Sequence, residues 1–225
     1  MAGLDREKLV TMIDHTELSP QAGEKRIADL CAEARRYGFY AVCVNGGYVR
    51  FAFEKLRGSG VLVCAVAGFP LGAGTGTAKA FEAGEAVKNG VAEIDTTINI
   101  GALLDKKFDL VRDDIRAVVE ASGPALVKVI LETCLLSDKE IVAACELAVE
   151  AGAGYVKTST GFGPCGATPV HVRLMRRTVG ANIGVKASGG IRNLDEARRL
   201  IRAGASRLGL SASMAIVEEL ALENK

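Results

Sequence analysis

Three lysines interrupt apolar, β-rich segments of the chain: Lys128, Lys157 and Lys186 each directly follow a valine. Side chains alternate between the two faces of a strand, so a valine that packs under covering helices turns the next residue to the opposite face. Charged groups are seldom buried unless they pair or line a wet cavity. Two ammonium groups on neighbouring strands repel each other, which favours a neutral amine in one of them. Because a neutral amine attacks carbonyl carbon, the pattern predicts carbonyl chemistry.

The three lysines have different neighbours on their C-terminal side. Lys157 and Lys186 each precede a loop of small residues, and barrel enzymes keep their chemistry in the loops at the carboxyl ends of the strands. Either lysine is therefore a candidate nucleophile. Lys128 is instead expected to form an interior ion pair with Glu93 or Glu132.

Two aspartates are placed to serve these lysines. Asp95 shares the inward face of its strand, and a carboxylate between two lysines can both pair with Lys186 and relay protons through water. Asp14, in the first strand, is a second partner for Lys186, either as an orienting hydrogen-bond acceptor or with a direct role. The adjacent His15 is expected to be structural.

The last two loops have the features of an anion site. Gly189 and Gly190 come after one strand with Arg192 close behind, and Gly209 and Ser211 lie in the turn that leads into the final helix. Small residues let backbone N–H groups approach a phosphate, and a helix N-terminus favours negative charge. Barrels commonly bind phosphate at these two loops.

A repeated glycine predicts the architecture that positions these groups. Helices often end on a glycine in the left-handed conformation, and seven such glycines each separate a helical stretch from a short β-rich run. The glycines are 38, 60, 90, 123, 152, 180 and 204; the strands predicted after them are 41–44, 61–66, 93–98, 127–131, 155–158, 184–187 and 207–210. Residues 12–16 supply an eighth strand after an opening helix. Eight β/α units predict an α/β fold, a closed (β/α)8 barrel of the TIM type with an extra N-terminal helix.

An open doubly wound sheet is the alternative, although no G-x-G-x-x-G comes after the first strand. Helix starts are predicted where a capping residue precedes Pro or stands three before Glu. These sites are Ser19-Pro20, Thr168-Pro169, Ser137 with Glu140, and Asn193 with Glu196.

Composition excludes several classes of protein. The 225 residues hold 28 Lys+Arg and 27 Asp+Glu, a net charge of +1, which gives no basic footprint for nucleic acid or an anionic membrane. No apolar run approaches the length of a membrane span, and we expect one cytoplasmic domain, 1–225. Six cysteines without a C-x-x-C pair, and only two histidines, argue against a zinc site and predict buried free thiols.

Six segments together resemble the deoxyribose-phosphate aldolase family, in order from about residue 9 to residue 217. They are 13–16 (IDHT), 68–72 (GFPLG), 93–95 (EID) with 98–103 (INIGAL), 128–133 (KVILET), 156–163 (VKTSTGFG) and 185–192 (VKASGGIR). The resemblance implies a barrel-shaped class I aldolase without cofactor or metal. Its implied reaction is the reversible cleavage of 2-deoxy-D-ribose 5-phosphate to acetaldehyde and D-glyceraldehyde 3-phosphate, a step of deoxyribose phosphate catabolism.

The same resemblance implies the roles of individual residues. It makes Lys157 the Schiff-base lysine, Lys186 the second active-site lysine and Asp95 the proton relay, with Asp14 and Thr160 in support. Its implied phosphate-binding positions are Gly161, Gly189, Gly190, Arg192, Gly209 and Ser211. Its implied partners are small phosphosugars and aldehydes, together with further copies of the chain in a homodimer or larger homo-oligomer.

Some positions depart from the family pattern. Thr96-Thr97 replaces an apolar pair, Pro164-Cys165 replaces Thr-Gly, and Leu210 and Ser213 stand where Thr and Gly are commoner. These differences bear on substrate preference and rate. Separately, Cys43 is predicted on the inner side of its strand with Asn45, and we hypothesise that reactive aldehydes inactivate the protein there.

Two other functions fit parts of the pattern. A phosphosugar isomerase or epimerase on the same barrel would need carboxylate, histidine or metal chemistry in place of paired lysines. A non-catalytic barrel would bind a sugar phosphate as a sensor or scaffold.

Overall fold

The fold, described by a computed structural model for residues 4–223, is a closed barrel of eight parallel strands in the order of the chain, with β8 paired to β1. The closed barrel with helices between its strands is the predicted TIM barrel, and the open-sheet alternative is wrong. The expected domain of 1–225 includes residues 1–3 and 224–225, which lie outside the described range.

The strands agree closely with the segments predicted from the glycine repeat. They are β1 Ile13–Glu17, β2 Ala41–Val44, β3 Leu62–Ala67, β4 Glu93–Thr97, β5 Leu126–Ile130, β6 Tyr155–Lys157, β7 Gly184–Ser188 and β8 Arg207–Leu210. The helices are α1 Arg6–Val10, α2 Glu24–Tyr37, α3 Val49–Leu56, α4 Gly76–Lys88, α5 Ile100–Leu104, α6 Phe108–Ser122, α7 Asp138–Glu150, α8 Pro169–Val179, α9 Leu194–Ala203 and α10 Ser213–Glu223. Helix α1 is the extra N-terminal helix. No helix within the described range is long and apolar enough to cross a membrane.

All seven glycines of the repeat have positive φ, from 53° at Gly123 to 117° at Gly204, where residues with a Cβ are strained. Gly38 and Gly204 end their helices in the left-handed conformation, as predicted. Gly60 does not end a helix, because α3 already ends at Leu56.

Three of the four predicted helix starts are confirmed. Thr168 and Asn193 accept hydrogen bonds from backbone N–H groups of their helices, and Ser137 forms a capping box with Glu140. The start at Ser19-Pro20 is wrong, because α2 begins at Glu24. Residues 19–22 instead form a turn, closed by a bond from Ala22 N–H to Ser19 O, that lies beside a cavity at the carboxyl ends of the strands.

The alternation of faces along each strand separates two kinds of interior. Residues such as Val127, Val156 and Val185 pack under the helices in one large apolar core. The lysines directly after these valines point into the barrel. Alternate residues of each strand face the interior, and it is polar because these residues include Asp95 and the three lysines.

Candidate active site

Asp95 lies at the centre of a cluster of lysines inside the barrel. Its Oδ2 accepts hydrogen bonds from Lys157 Nζ at 2.8 Å and Lys186 Nζ at 2.7 Å, while its Oδ1 accepts one from Lys128 Nζ at 2.8 Å. The register of β6 and β7 pairs Lys157 directly with Lys186, which places their two amines on the same carboxylate. The sequence predicted two lysines around Asp95, and the structure adds Lys128 as a third.

The three ammonium groups determine the ionisation of Asp95. Burial alone would raise the pKa of this carboxyl, but Lys128, Lys157 and Lys186 together outweigh burial and hold the pKa well below its usual value. Asp95 is therefore an anion at neutral pH. An anion touching three amines can accept a proton from one of them or return it.

Lys186 is held as a cation. Its Nζ donates hydrogen bonds to Asp14 and Asp95, and its side chain is fully buried. Burial would lower the pKa of Lys186, but the two carboxylates outweigh burial and raise it above its usual value. The surroundings of Lys186 thus stabilise its charged form.

A second layer of charges closes the cluster at the amino ends of the strands. Lys128 contacts Glu93 at 2.6 Å, the first of its two predicted partners. Arg207 donates to Asp14 at 2.8 Å and to Glu93 at 3.2 Å, and its guanidinium carbon lies 3.5 Å from the centroid of the Tyr40 ring. Sequence reasoning missed Arg207, although its position at the start of β8 could have signalled an interior residue.

These residues define what we call the interior cluster: Asp14, Glu93, Asp95, Lys128, Lys157, Lys186 and Arg207. All are buried, and four cationic side chains face three carboxylates. The interior cluster therefore has one more cationic side chain than carboxylates.

A cavity of about 320 Å³ opens above the interior cluster, at the carboxyl ends of the strands. Lys157 is the only lysine among its lining residues, whereas Lys128 and Lys186 lie behind the wall. The lining residues that the sequence had singled out are Lys157, Thr160, Gly161, Gly189, Gly190, Gly209 and Ser211. The cavity therefore combines one lysine with a glycine-rich wall.

Arg192 does not join this wall. Its side chain is exposed, and its backbone N–H donates to Glu196 Oε2 at 2.7 Å at the start of α9. The wall itself turns at Gly161, Gly189 and Gly190, which have positive φ and leave their backbone uncovered by side chains.

Thr160 is fixed by an unusual neighbour, Glu132. This glutamate has a left-handed backbone, with φ of 54°, just after β5. Its buried carboxylate accepts hydrogen bonds from the Thr160 hydroxyl and, at 3.3 Å, from the Thr160 backbone N–H. A strained buried residue that holds a cavity-lining threonine marks a functional loop. Glu132 thus contacts Thr160 and not the predicted Lys128.

Two thiols lie beside Asp95. Cys43 and Cys64 are direct partners in the β2–β3 register, and one donor atom from each thiol and from Asp95 lies within 4.8 Å of the others. A hydrogen bond from Cys64 lowers the pKa of Cys43, whereas burial raises the pKa of Cys64. Sequence spacing did not show this group. Because lysine ammonium groups contact both oxygens of Asp95, the group suits an ion-pair network better than a metal ion.

The two histidines lie away from the cavity lining. His15 is buried on the outer side of β1, against Glu33 and Ser213. His171 lies in α8. The isomerase alternative therefore has no histidine at the cavity.

A closed parallel barrel with a cavity at the carboxyl ends of its strands, above a lysine–aspartate–lysine group, has the architecture of the barrel enzymes. The comparison with known families narrows this class. The sequence pattern of the DeoC/LacD family aldolases matches residues 8–218. The chain belongs to that family and is an aldolase, a carbon–carbon lyase.

Individual relatives agree with this assignment. Over 211 residues the chain is 58% identical to a deoxyribose-phosphate aldolase of Geobacillus sp., a match that covers 93% of this chain and 95% of the relative. It is 55% identical over 215 residues to a deoxyribose-phosphate aldolase of Lysinibacillus sphaericus, covering 95% and 96%. The tetrameric structure of deoxyribose phosphate aldolase from Aeropyrum pernix superposes with a TM-score of 0.90 at 34% identity, covering 96% of this chain and 92% of that one.

Proposed function

We propose that this chain reversibly cleaves 2-deoxy-D-ribose 5-phosphate to acetaldehyde and D-glyceraldehyde 3-phosphate through a Schiff base on Lys157. The observation that carries the proposal is the placement of Lys157. Its amine shares Asp95 with Lys186, and it is the lysine of the interior cluster that lines the cavity. The names of the relatives at 55–58% identity support the substrate.

The first step joins the sugar to the protein. The neutral amine of Lys157 adds to the C1 aldehyde, and loss of water from the adduct gives an imine. Lys186 is kept protonated by Asp14 and Asp95, so it remains a cation beside Lys157 during this step.

The second step breaks the bond between C2 and C3. A base takes the proton of the C3 hydroxyl, C3 becomes the aldehyde of D-glyceraldehyde 3-phosphate, and the electron pair of the broken bond forms the enamine. Protonation of the enamine at C2 gives the imine of acetaldehyde, which water hydrolyses to release the product and Lys157. Asp95, Lys186 and a water molecule move these protons in the proposal, with Asp14 holding Lys186 in place. Each step uses protein groups and water alone.

The phosphate of the substrate would lie at the glycine-rich wall. One cavity is lined both by Lys157 and by the residues of this wall, so a single ligand can contact the lysine and the wall at once. The wall residues are Gly161, Gly189, Gly190, Gly209 and Ser211. Holding the sugar at its phosphate fixes the reacting carbonyl near the amine.

The assembly and location of the chain remain predictions. The tetrameric relative from Aeropyrum pernix supports the prediction of a homo-oligomer, which light scattering on the purified protein tests. The predicted cytoplasmic location and the absence of nucleic-acid partners rest on the sequence.

The decisive experiment traps the imine. The protein is incubated with acetaldehyde and sodium borohydride, digested and mapped by mass spectrometry, with the Lys157→Met variant as the control. We expect a reduced two-carbon addition at Lys157 and none in the variant. Addition spread over surface lysines, or equal labelling of both proteins, would contradict the proposal.

A further inference from the structure

His15 has a buried environment on the outer side of β1, opposite the interior cluster. Its side chain is completely buried. Nε2 lies 2.8 Å from Glu33 Oε2 on α2, and Nδ1 lies 2.9 Å from the hydroxyl of Ser213, the first residue of α10. The ring also packs 5.1 Å from the ring of Phe39. The imidazole therefore joins one helix to the N-terminus of another through β1.

The partners of the imidazole determine where its protons lie. Burial would raise the pKa of Glu33, but its bond to His15 and the charge of Arg26 outweigh burial, so this carboxylate stays ionised and can only accept a hydrogen bond. Nε2 must then carry a proton. Burial also lowers the pKa of His15 despite Glu33, so the ring is neutral and Nδ1 accepts a hydrogen bond from the Ser213 hydroxyl.

The Ser213 hydroxyl is at the end of the turn that faces the cavity. Gly209 and Ser211 in this turn line the cavity, and the next residues lead directly into α10. The Ser213 hydroxyl is fully buried, and its single proton faces two acceptors, His15 Nδ1 at 2.9 Å and Leu210 O at 3.1 Å inside the same turn. A shift of Ser213 would therefore move the backbone N–H groups of the turn.

We propose that His15 and Ser213 are positioning residues for turn 209–213, and that their hydrogen bond holds this turn in the conformation that binds the phosphate group of the substrate. The inference rests on the proposed function, since it assigns the turn to the phosphate. His15 and Ser213 touch neither substrate nor Lys157; they act through the backbone of the turn.

The test compares two substrates in the Ser213→Ala variant: 2-deoxy-D-ribose 5-phosphate and unphosphorylated 2-deoxy-D-ribose. Removal of one buried hydrogen bond should reduce the ratio of their kcat/KM values by about three- to tenfold, through a higher KM for the phosphorylated sugar. The His15→Asn variant should reduce the ratio in the same direction. Ser122→Ala is the matched control, because Ser122 is an equally buried serine that donates to Val118 O in α6, remote from the turn.

Each other outcome overturns the inference. If Ser213→Ala has the wild-type ratio of kcat/KM values, the hydrogen bond between His15 and Ser213 does not affect phosphate binding. An equal fall for both substrates would indicate a general structural role. If the wild-type protein itself does not prefer the phosphorylated sugar, while acetaldehyde still labels Lys157, the phosphate assignment of the turn fails and the Schiff-base chemistry stands.

Discussion

Within residues 4–223 lysine and aspartate are buried together in two places, with different consequences. In the interior cluster, Asp95 contacts three lysines beneath an open cavity. Between α4 and α6, Lys79 contacts Asp114 at 2.6 Å and donates to Thr97 O at 2.9 Å, with 1% and 5% of the two side chains exposed. The contact distances are similar. Of these two places, the interior cluster is the one with a lysine, Lys157, that lines a cavity.

The number of cations around each aspartate also sets the sign of its pKa change. Burial would raise the pKa of both carboxyls. At Asp95 three lysines outweigh burial and lower the pKa, whereas at Asp114 the single Lys79 does not, and the pKa is raised. Asp95 therefore stays an anion among three ammonium groups, whereas Asp114 pairs with a single lysine.

The largest expected effect separates the two lysines. Lys157→Met should reduce kcat/KM by at least about 10³-fold, because the nucleophile is lost. The double variant Lys79→Met/Asp114→Leu should keep the turnover number of the wild-type protein. Comparable loss of turnover in the two proteins, measured at equal folded fraction, would remove the distinction between the two regions.

The next effect concerns the two aspartates. Asp95→Asn should reduce kcat by about 10²- to 10⁴-fold, because an amide cannot relay a proton. Asp114→Asn should leave kcat unchanged. The measurement is the steady-state rate of cleavage, and a fast Asp95→Asn variant would contradict the proposed relay.

Breaking the buried pair of Lys79 and Asp114 should instead change the free energy of unfolding. Asp114→Ala leaves the ammonium group of Lys79 buried without its carboxylate and should reduce the free energy of unfolding by about 3–5 kcal/mol. Lys79→Met/Asp114→Leu replaces both charges and should be close to wild type. Urea unfolding curves decide between these outcomes, and equal stabilities of the two variants would show that the pair is not effectively buried.

Thiol reactivity gives a smaller contrast. The pKa of Cys43, beside the interior cluster, is lowered, whereas burial raises the pKa of Cys145 in α7 to about 12. We predict that Cys43→Ser prolongs activity under a reactive unsaturated aldehyde, and that Cys145→Ser does not. Residual activity is measured against time, and identical decay in wild type and Cys43→Ser would refute the hypothesis about Cys43.

The smallest effect is on the pH dependence of stability. A lowered folded-state pKa makes Asp95 add stability above its ordinary pKa of 3.8, and this stability is lost as the pH falls below that value. The folded-state pKa of Asp114 is raised, so its contribution to the free energy of unfolding has the opposite pH dependence. That contribution declines as the pH rises above 3.8. Thermal unfolding from about pH 3 to about pH 6 should show a flatter acid limb for Asp95→Asn and a steeper one for Asp114→Asn. Slopes that change in the same direction would contradict the assignment.

Local signals explain why most of the fold could be predicted from the sequence. Two signals depend only on neighbours in the chain: the seven glycines that precede seven of the strands, and the valine before each interior lysine. The glycines predicted the positions of the strands, and the valines predicted that Lys157 and Lys186 point inward. Ser19-Pro20 has the same local form as a helix start, but the chain there turns beside the cavity before α2 begins.

Contacts between distant elements could not be predicted in this way. Lys79 and Asp114 lie 35 residues apart on two helices, and Arg207 and Asp14 lie 193 apart. Their pairing depends on how the elements pack. Arg192 is an example in which the local sequence was misleading. Its position after Gly189 and Gly190 predicted a phosphate contact, but its side chain is exposed to solvent.

The stacking of Arg207 on Tyr40 has a consequence for the order of events. Arg207, 4% exposed, closes the amino end of the barrel below Asp14 and Glu93. Lys157 is therefore reached from the cavity at the carboxyl ends of the strands, while the opposite end is filled by side chains. In the proposed cleavage the three-carbon fragment departs first, because the two-carbon fragment stays bonded to Lys157 until water from that cavity hydrolyses the imine.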